Sequence, residues 1–324
     1  MSEKFLYLSM AESVSLGARI KNLIPARISS YFSKSYKKFN SRTSKKIFAL
    51  LAFASLGIVL SQPSVLGEPP QGKLGLFITG LSGDNTFKNY FEDASRRLRE
   101  LLVSNGYQRE ELVRFSDSEE NNQLWNQAEI SRKENLRKFF KEISQRKTPF
   151  ENAFIFIAGH ANGRDEEAVL HLPGEDIVYR ELMEEIDTLP AKQMIIVIAT
   201  PQGMIWIQKL SRPGRVIVVG NGYREYDFLP MLFLRFFPAM FQEIPNSPKN
   251  SSNEWSQISL KDAFTRTQRK VRHWFQDNHL RMTERAFINA NGDKKGKSLE
   301  AADAIIFAVP RRNSQHGKLS PSVP

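Results

Sequence analysis

There is no cysteine anywhere in the 324 residues. That absence removes disulfides, cysteine-based zinc sites and every thiol nucleophile from the chemistry open to the chain, and it leaves the redox compartment unreadable from cysteine pairing. Histidine is scarce as well, five in all. Of these, His273, His279 and His316 lack the neighbours of a metal site, so neither a metal nor any other cofactor is expected. A net charge of +11 invites a nucleic-acid reading until it is located. Residues 1–46 hold ten Lys/Arg against two Glu, so about +8 of the charge sits in the first seventh of the chain. The remainder is close to balanced, and no RNA- or DNA-binding motif accompanies the basic residues, so no nucleic-acid partner is expected.

The basic leader, 1–46, ends at Lys45-Lys46 and runs straight into the apolar stretch 47–60. A positive flank before a hydrophobic segment is the pattern of an export signal or an anchor. Fourteen apolar residues fall short of the about twenty that a comfortable span needs, and Gln62-Pro63 follows at once. Residues 47–67 therefore read as a signal with cleavage before Glu68, or as an anchor associating with the membrane through 47–61, its positive side in the cytoplasm. Either way the protein is expected at the cell envelope, exported or inner-membrane anchored. The Pro/Gly-rich piece 62–72 is a linker.

The folded body is expected over 68–310, followed by a disordered tail, 311–324. Short apolar runs at 74–79, 111–115, 153–158, 194–198 and 215–219 read as strands, separated by helical patterns at 90–105, 123–145 and 179–187. Strands that are apolar throughout are covered on both faces, and helices between them imply crossovers. The expected fold class is α/β, a three-layer sandwich around a mostly parallel central sheet. Phe228–Phe241, rich in Phe and Leu, contains Arg235 and two prolines and reads as a buried helix. Residues 242–257 read as a polar loop, and 259–278 as a helix capped by Ser259. Asn289, Asn291 and Asp293 alternate around Gly292 like a calcium loop but lack its terminal acid, so a plain turn is expected.

In an open parallel sheet, functional groups gather in the loops beyond the carboxyl ends of strands. Three loops qualify. The first is 80–85, with Gly80 and Ser82 as candidate binding residues. The second, Gly159-His160-Ala161-Asn162-Gly163, offers His160 and Asn162. The third, Ala199-Thr200-Pro201-Gln202-Gly203, offers Thr200 and Gly203. A histidine after one strand, one strand before a second small-residue turn, is the arrangement of a general base facing a nucleophile. The acidic run 165–167 follows closely enough to offer the imidazole a carboxylate partner, although such runs are usually solvated loops.

At these residues the chain resembles the caspase/legumain superfamily of cysteine peptidases, and within it the bacterial legumain-type proteins. The resemblance rests on an ordered series: 154–160, Leu170-His-Leu-Pro-Gly-Glu-Asp176, 181–190, 194–203 and Leu210-Ser-Arg-Pro-Gly-Arg-Val216, with weaker echoes at 260–275 and 282–293. It implies a caspase/legumain-like fold with His160 as the catalytic histidine. The family's cysteine position falls at Thr200 or Pro201, and the glycine that follows the family's histidine is Ala161 here. The basic residue that asparaginyl peptidases of this type use to hold the substrate side chain is not evident near Asn89-Tyr90. The reading is a cysteine-less pseudo-peptidase that binds a protein or peptide ligand or acts as a scaffold. The alternative is a residual hydrolase in which His160 works with Thr200 or an activated water.

Overall fold

The computed structural model describes residues 72–119, 125–222, 229–242, 255–295, 297–298, 302 and 305–310. The leader, the 47–67 segment and the 311–324 tail lie outside them. Five strands carry the centre: β1 (Lys73–Thr79), β2 (Leu112–Ser116), β4 (Phe150–Ala158), β8 (Ala191–Ala199) and β9 (Arg215–Val219). They are flanked by β3 (Gln127–Ile130) at one edge, and by β11 (Phe287–Asn289) and β12 (Lys297–Ser298) at the other. The sheet order is β12-β11-β9-β8-β4-β1-β2-β3, and every pairing is parallel except β11 on β9. The mostly parallel α/β architecture expected from the apolar runs is what forms.

Helices cover both faces, and the alternation of side chains along each strand decides which core each residue joins. On one face α1 (Asn85–Ser104), α5 (Met231–Met240) and α6 (Leu260–Asp277) pack on Phe77, Phe154, Phe156, Val197 and Val218. On the other, α2 (Lys133–Ser144), α3 (Tyr179–Asp187) and α4 (Met204–Leu210) pack on Leu76, Ile78, Ile155, Ile157, Ile196 and Ile198. These central strands are buried on both sides, which is why they read as unbroken apolar runs. A small antiparallel sheet of β5 (Ala161–Asn162), β6 (Val169–Leu170) and β7 (Ile177–Val178) sits between β4 and α3 in the chain.

Two expectations fail. The long helix over 123–145 is instead an edge strand, 127–130, followed by α2. Gln127 and Glu129 are exposed while Ala128 and Ile130 are half-buried, a two-residue period that pairs with β2, and the buried Ser131 donates its backbone N–H to the Ser116 carbonyl (2.8 Å). The end of the expected loop 242–257 enters β10 (Trp255–Ser259), which pairs with β13 (Ile306–Pro310). Its partner lies some fifty residues downstream, a distance at which local pattern carries no signal. The capped helix forms as expected, the Ser259 hydroxyl accepting from the Asp262 N–H at 3.0 Å. The 289–293 turn is closed by its own side chains: Asn289 donates to Asp293 (2.6 Å) and accepts from the Gly292 N–H (3.0 Å).

Candidate functional site

The three loops singled out from the sequence meet at one end of the sheet. Ala158 and Ala199 are register partners at the ends of β4 and β8, so the turns holding His160 and Thr200 leave the sheet side by side. Backbone hydrogen bonds stitch them together. The Gly159 N–H reaches the Ala199 carbonyl (3.4 Å), and the Gly80 N–H reaches the Ala158 carbonyl (2.9 Å). His171 bridges two loops, accepting from the Leu81 N–H (2.8 Å) and donating its own N–H to the His160 carbonyl (3.0 Å). Gly80 is glycine for space, since a Cβ there would stand 2.5 Å from the His171 carbonyl oxygen.

His160 is half-buried. Its ring stands edge-on to Phe87 of α1, with centroids 4.4 Å apart, and 6.3 Å from Phe91. Burial pulls its pKa below the ordinary histidine value; a hydrogen bond to the Ser82 backbone and the Asp84 carboxylate work against that, while nearby His171 adds to it. Its mixed aromatic and polar niche thus disfavours the charged imidazolium. Ser82 is itself fixed, its N–H (2.9 Å) and its hydroxyl (2.5 Å) both donating to the same oxygen of Asp117, while Asp84 caps α1 by accepting from the Phe87 N–H.

Thr200 is fully buried, and its hydroxyl donates to the Pro201 carbonyl at 3.2 Å. The same carbonyl accepts from the buried Tyr179 hydroxyl (3.1 Å). Gly203 packs so closely that a Cβ would lie 2.6 Å from both the Asn221 carbonyl oxygen and the Val219 Cβ. Asn162 is exposed on β5. Topology thus brings His160, Gly80, Ser82, Thr200 and Gly203 to one crown of loops, while the Thr200 hydroxyl is engaged inside its own turn.

Three residues take roles that the sequence reading did not give them. Gln202 adopts a left-handed backbone (φ 56°) and is buried. Its side-chain amide accepts from the Asp165 N–H (2.9 Å) and donates to the Gly163 carbonyl, locking the His160 loop to the Thr200 turn. Asp165 is also left-handed (φ 53°). Two non-glycine residues in that region, joined by one amide, mark a place where surrounding structure overrides local preference. The third is His171, whose Nδ1 lies 2.9 Å from Asp176 Oδ2 while the other carboxylate oxygen accepts the Leu172 N–H (3.0 Å). The carboxylates of 166–167 turn elsewhere: Glu166 pairs with Lys209 and Glu167 with Arg180.

Among solved structures the chain is similar to the Drosophila initiator caspase Dronc, with a TM-score of 0.40 and 9% sequence identity, covering 76% of this chain and 91% of that one. No family model and no curated protein matches it.

Proposed function

We propose that this chain is a cysteine-less, catalytically silent relative of the caspase/legumain peptidases whose loop crown binds a protein or peptide ligand. The observation that carries the reading is the state of the strand-end turn where that family keeps its nucleophile: Thr200 is fully buried and its hydroxyl is spent on the adjacent Pro201 carbonyl. A threonine hydroxyl lacks the partly formed thiolate that makes cysteine reactive near neutral pH, and this one is also closed off from an incoming carbonyl. The ordered motif series supports the family assignment, because its pieces fall on the ends of β4 and β8 and on the lead into β9. The leader supports a place at the cell envelope, with 47–61 as the tether.

A fluorogenic peptide panel on the purified protein is the test. No turnover above background, with His160→Ala indistinguishable from the parent, agrees with a binding role. Turnover that His160→Ala abolishes would establish instead the residual hydrolase, with His160 activating Thr200 or a water.

A further inference from the structure

One side of α6 is buried and the other is basic. Ala263, Phe264, Thr267, Val271 and Phe275 form a buried stripe at helical spacing. Between Asp262 and Asp277 the helix holds Arg266, Arg269, Lys270 and Arg272 and no acid, and the last three of these are exposed. The chain that follows adds exposed Arg281 and Arg285, while its one acid before Asp293, Glu284, is buried and accepts from the backbone of α5. Seven Lys/Arg thus stand against three Asp/Glu over 260–292, in a body that is otherwise close to balance.

The end of this helix puts an apolar side chain into solvent. The His279 N–H donates to the Gln276 carbonyl (3.0 Å) and the Leu280 N–H to the Phe275 carbonyl (2.9 Å), with His279 left-handed (φ 54°). This double bond closes a helix on a left-handed residue, and the residue after it ordinarily folds its apolar side chain back onto the last turn. Leu280 does not. It is 54% exposed, more than any other large hydrophobic residue among those described. Trp274 and Met282, which flank it in sequence, are half-buried against the cluster of Leu232, Val271 and Phe275. A helix end that holds a histidine left-handed and still leaves its leucine in water forgoes the contact such a turn supplies.

Exposed cations beside a projecting leucine and a half-buried tryptophan match the boundary of an anionic bilayer, where headgroup charge attracts Lys/Arg and the acyl edge receives Leu and Trp. Nucleic acid would answer the charge but not Leu280. We infer that the basic face of α6, with Leu280 at its tip, docks the folded body onto an anionic phospholipid surface. The inference rests on the envelope reading and adds to it that the body, not the tether alone, meets the bilayer. Chain length agrees: residues 61–72 separate the apolar segment from β1, a reach of roughly 40 Å at full extension.

The test uses the full-length chain, whose lack of cysteine makes Leu280→Cys a single attachment point for an apolar, environment-sensitive fluorophore. Glu142→Cys, exposed on α2 across the sheet, is the reference. Vesicles are phosphatidylcholine alone or phosphatidylcholine mixed with phosphatidylglycerol. The expected result is a brighter, blue-shifted label at 280 on the mixed vesicles only, with no change at 142. Arg269→Gln combined with Arg272→Gln is expected to return the signal at 280 to its phosphatidylcholine level, since each cation near an anionic surface biases contact about fivefold, or about 25-fold for the two. Both side chains are exposed, so the fold is kept. Silence at 280, an equal response on both vesicle types, an equal response at 142, or a response retained in the double variant each overturns the docking surface. A stronger response to an RNA or DNA duplex than to mixed vesicles overturns it as well and assigns the face to nucleic acid. Co-flotation with phosphatidylcholine vesicles reads the tether separately: its absence sinks the 47–61 reading, while the label at 280 decides α6 by itself.

Discussion

Glu284 gives the fold a pH dependence opposite to that of most acid-sensitive proteins. Helix α5 begins after Pro230 with no side-chain cap of its own. The missing acceptor arrives from far along the chain: one Glu284 oxygen accepts the Leu232 N–H (3.1 Å), and the other accepts those of Leu232 and Phe233 (3.0 Å each). Glu284 is buried, and that burial pushes its pKa from an ordinary 4.5 up to about 7, outweighing the backbone donors, which pull it down. The folded state thus holds a proton that the unfolded chain has released between about pH 4.5 and 7. Stability must fall as pH rises through that window, at 1.36 kcal/mol per unit of pKa difference, or about 2–3 kcal/mol between pH 5 and 8. Urea unfolding midpoints at pH 5, 6, 7 and 8, for the parent and Glu284→Gln, measure it. Glutamine keeps an acceptor for α5 but cannot titrate, so its offset from the parent is constant apart from this one group. His160 works in the other direction, its lowered pKa making stability rise with pH below 6.5, and it is common to both proteins. The parent is expected to lose about 2–3 kcal/mol relative to Glu284→Gln between pH 5 and 8. Parallel curves would refute the reasoning.

The remaining predictions probe the crown. Thr200→Cys places one thiol in a chain with no other; its reaction with Ellman's reagent should be at least roughly tenfold slower in the native protein than in urea, because reactivity follows exposure, and equal rates would mean that the turn opens freely. Gln202→Ala should destabilise by about 2–3 kcal/mol through two lost buried hydrogen bonds, whereas Gln202→Gly should recover about 1 kcal/mol of that by removing the left-handed penalty; urea midpoints ranking alanine above glycine would contradict it. Gly203→Ala should cost about 2 kcal/mol or more in the same measurement, since its Cβ has no room beside Asn221 and Val219.

Much of the architecture was legible because the central strands are covered on both faces: a run such as Phe154–Ala158 can be little other than buried sheet once its flanking turns are read. The edge was not. Gln127–Ile130 has the composition of the charged helix that follows, and only its pairing with β2 makes it a strand. The loop crown was legible in part, since strand ends locate loops and loops locate His160, Ser82 and Thr200. What could not be read was how side chains divide the hydrogen bonds within it. Gln202 looked like one polar turn residue among others, and its left-handed backbone and its hold on residues 163 and 165 depend on the neighbouring loop. The His171–Asp176 pair lay within a quoted motif, but five residues of spacing in a loop do not specify contact.

The two ends of α1 show how one helix can serve two places in the fold. At its start, Asp84 caps the helix and Phe87 packs on His160, so the opening turn of α1 also builds the crown. Seven residues beyond Glu92, Arg99 occupies a position on the sheet-facing stripe where the helical period calls for an apolar side chain. A leucine there would extend the cluster formed by Phe91, Ala94, Leu98 and Leu102 at no electrostatic cost. The Arg99 guanidinium lies instead against Trp125, 5.4 Å from the ring centroid, a cation–π contact that offsets part of the cost of burying the charge.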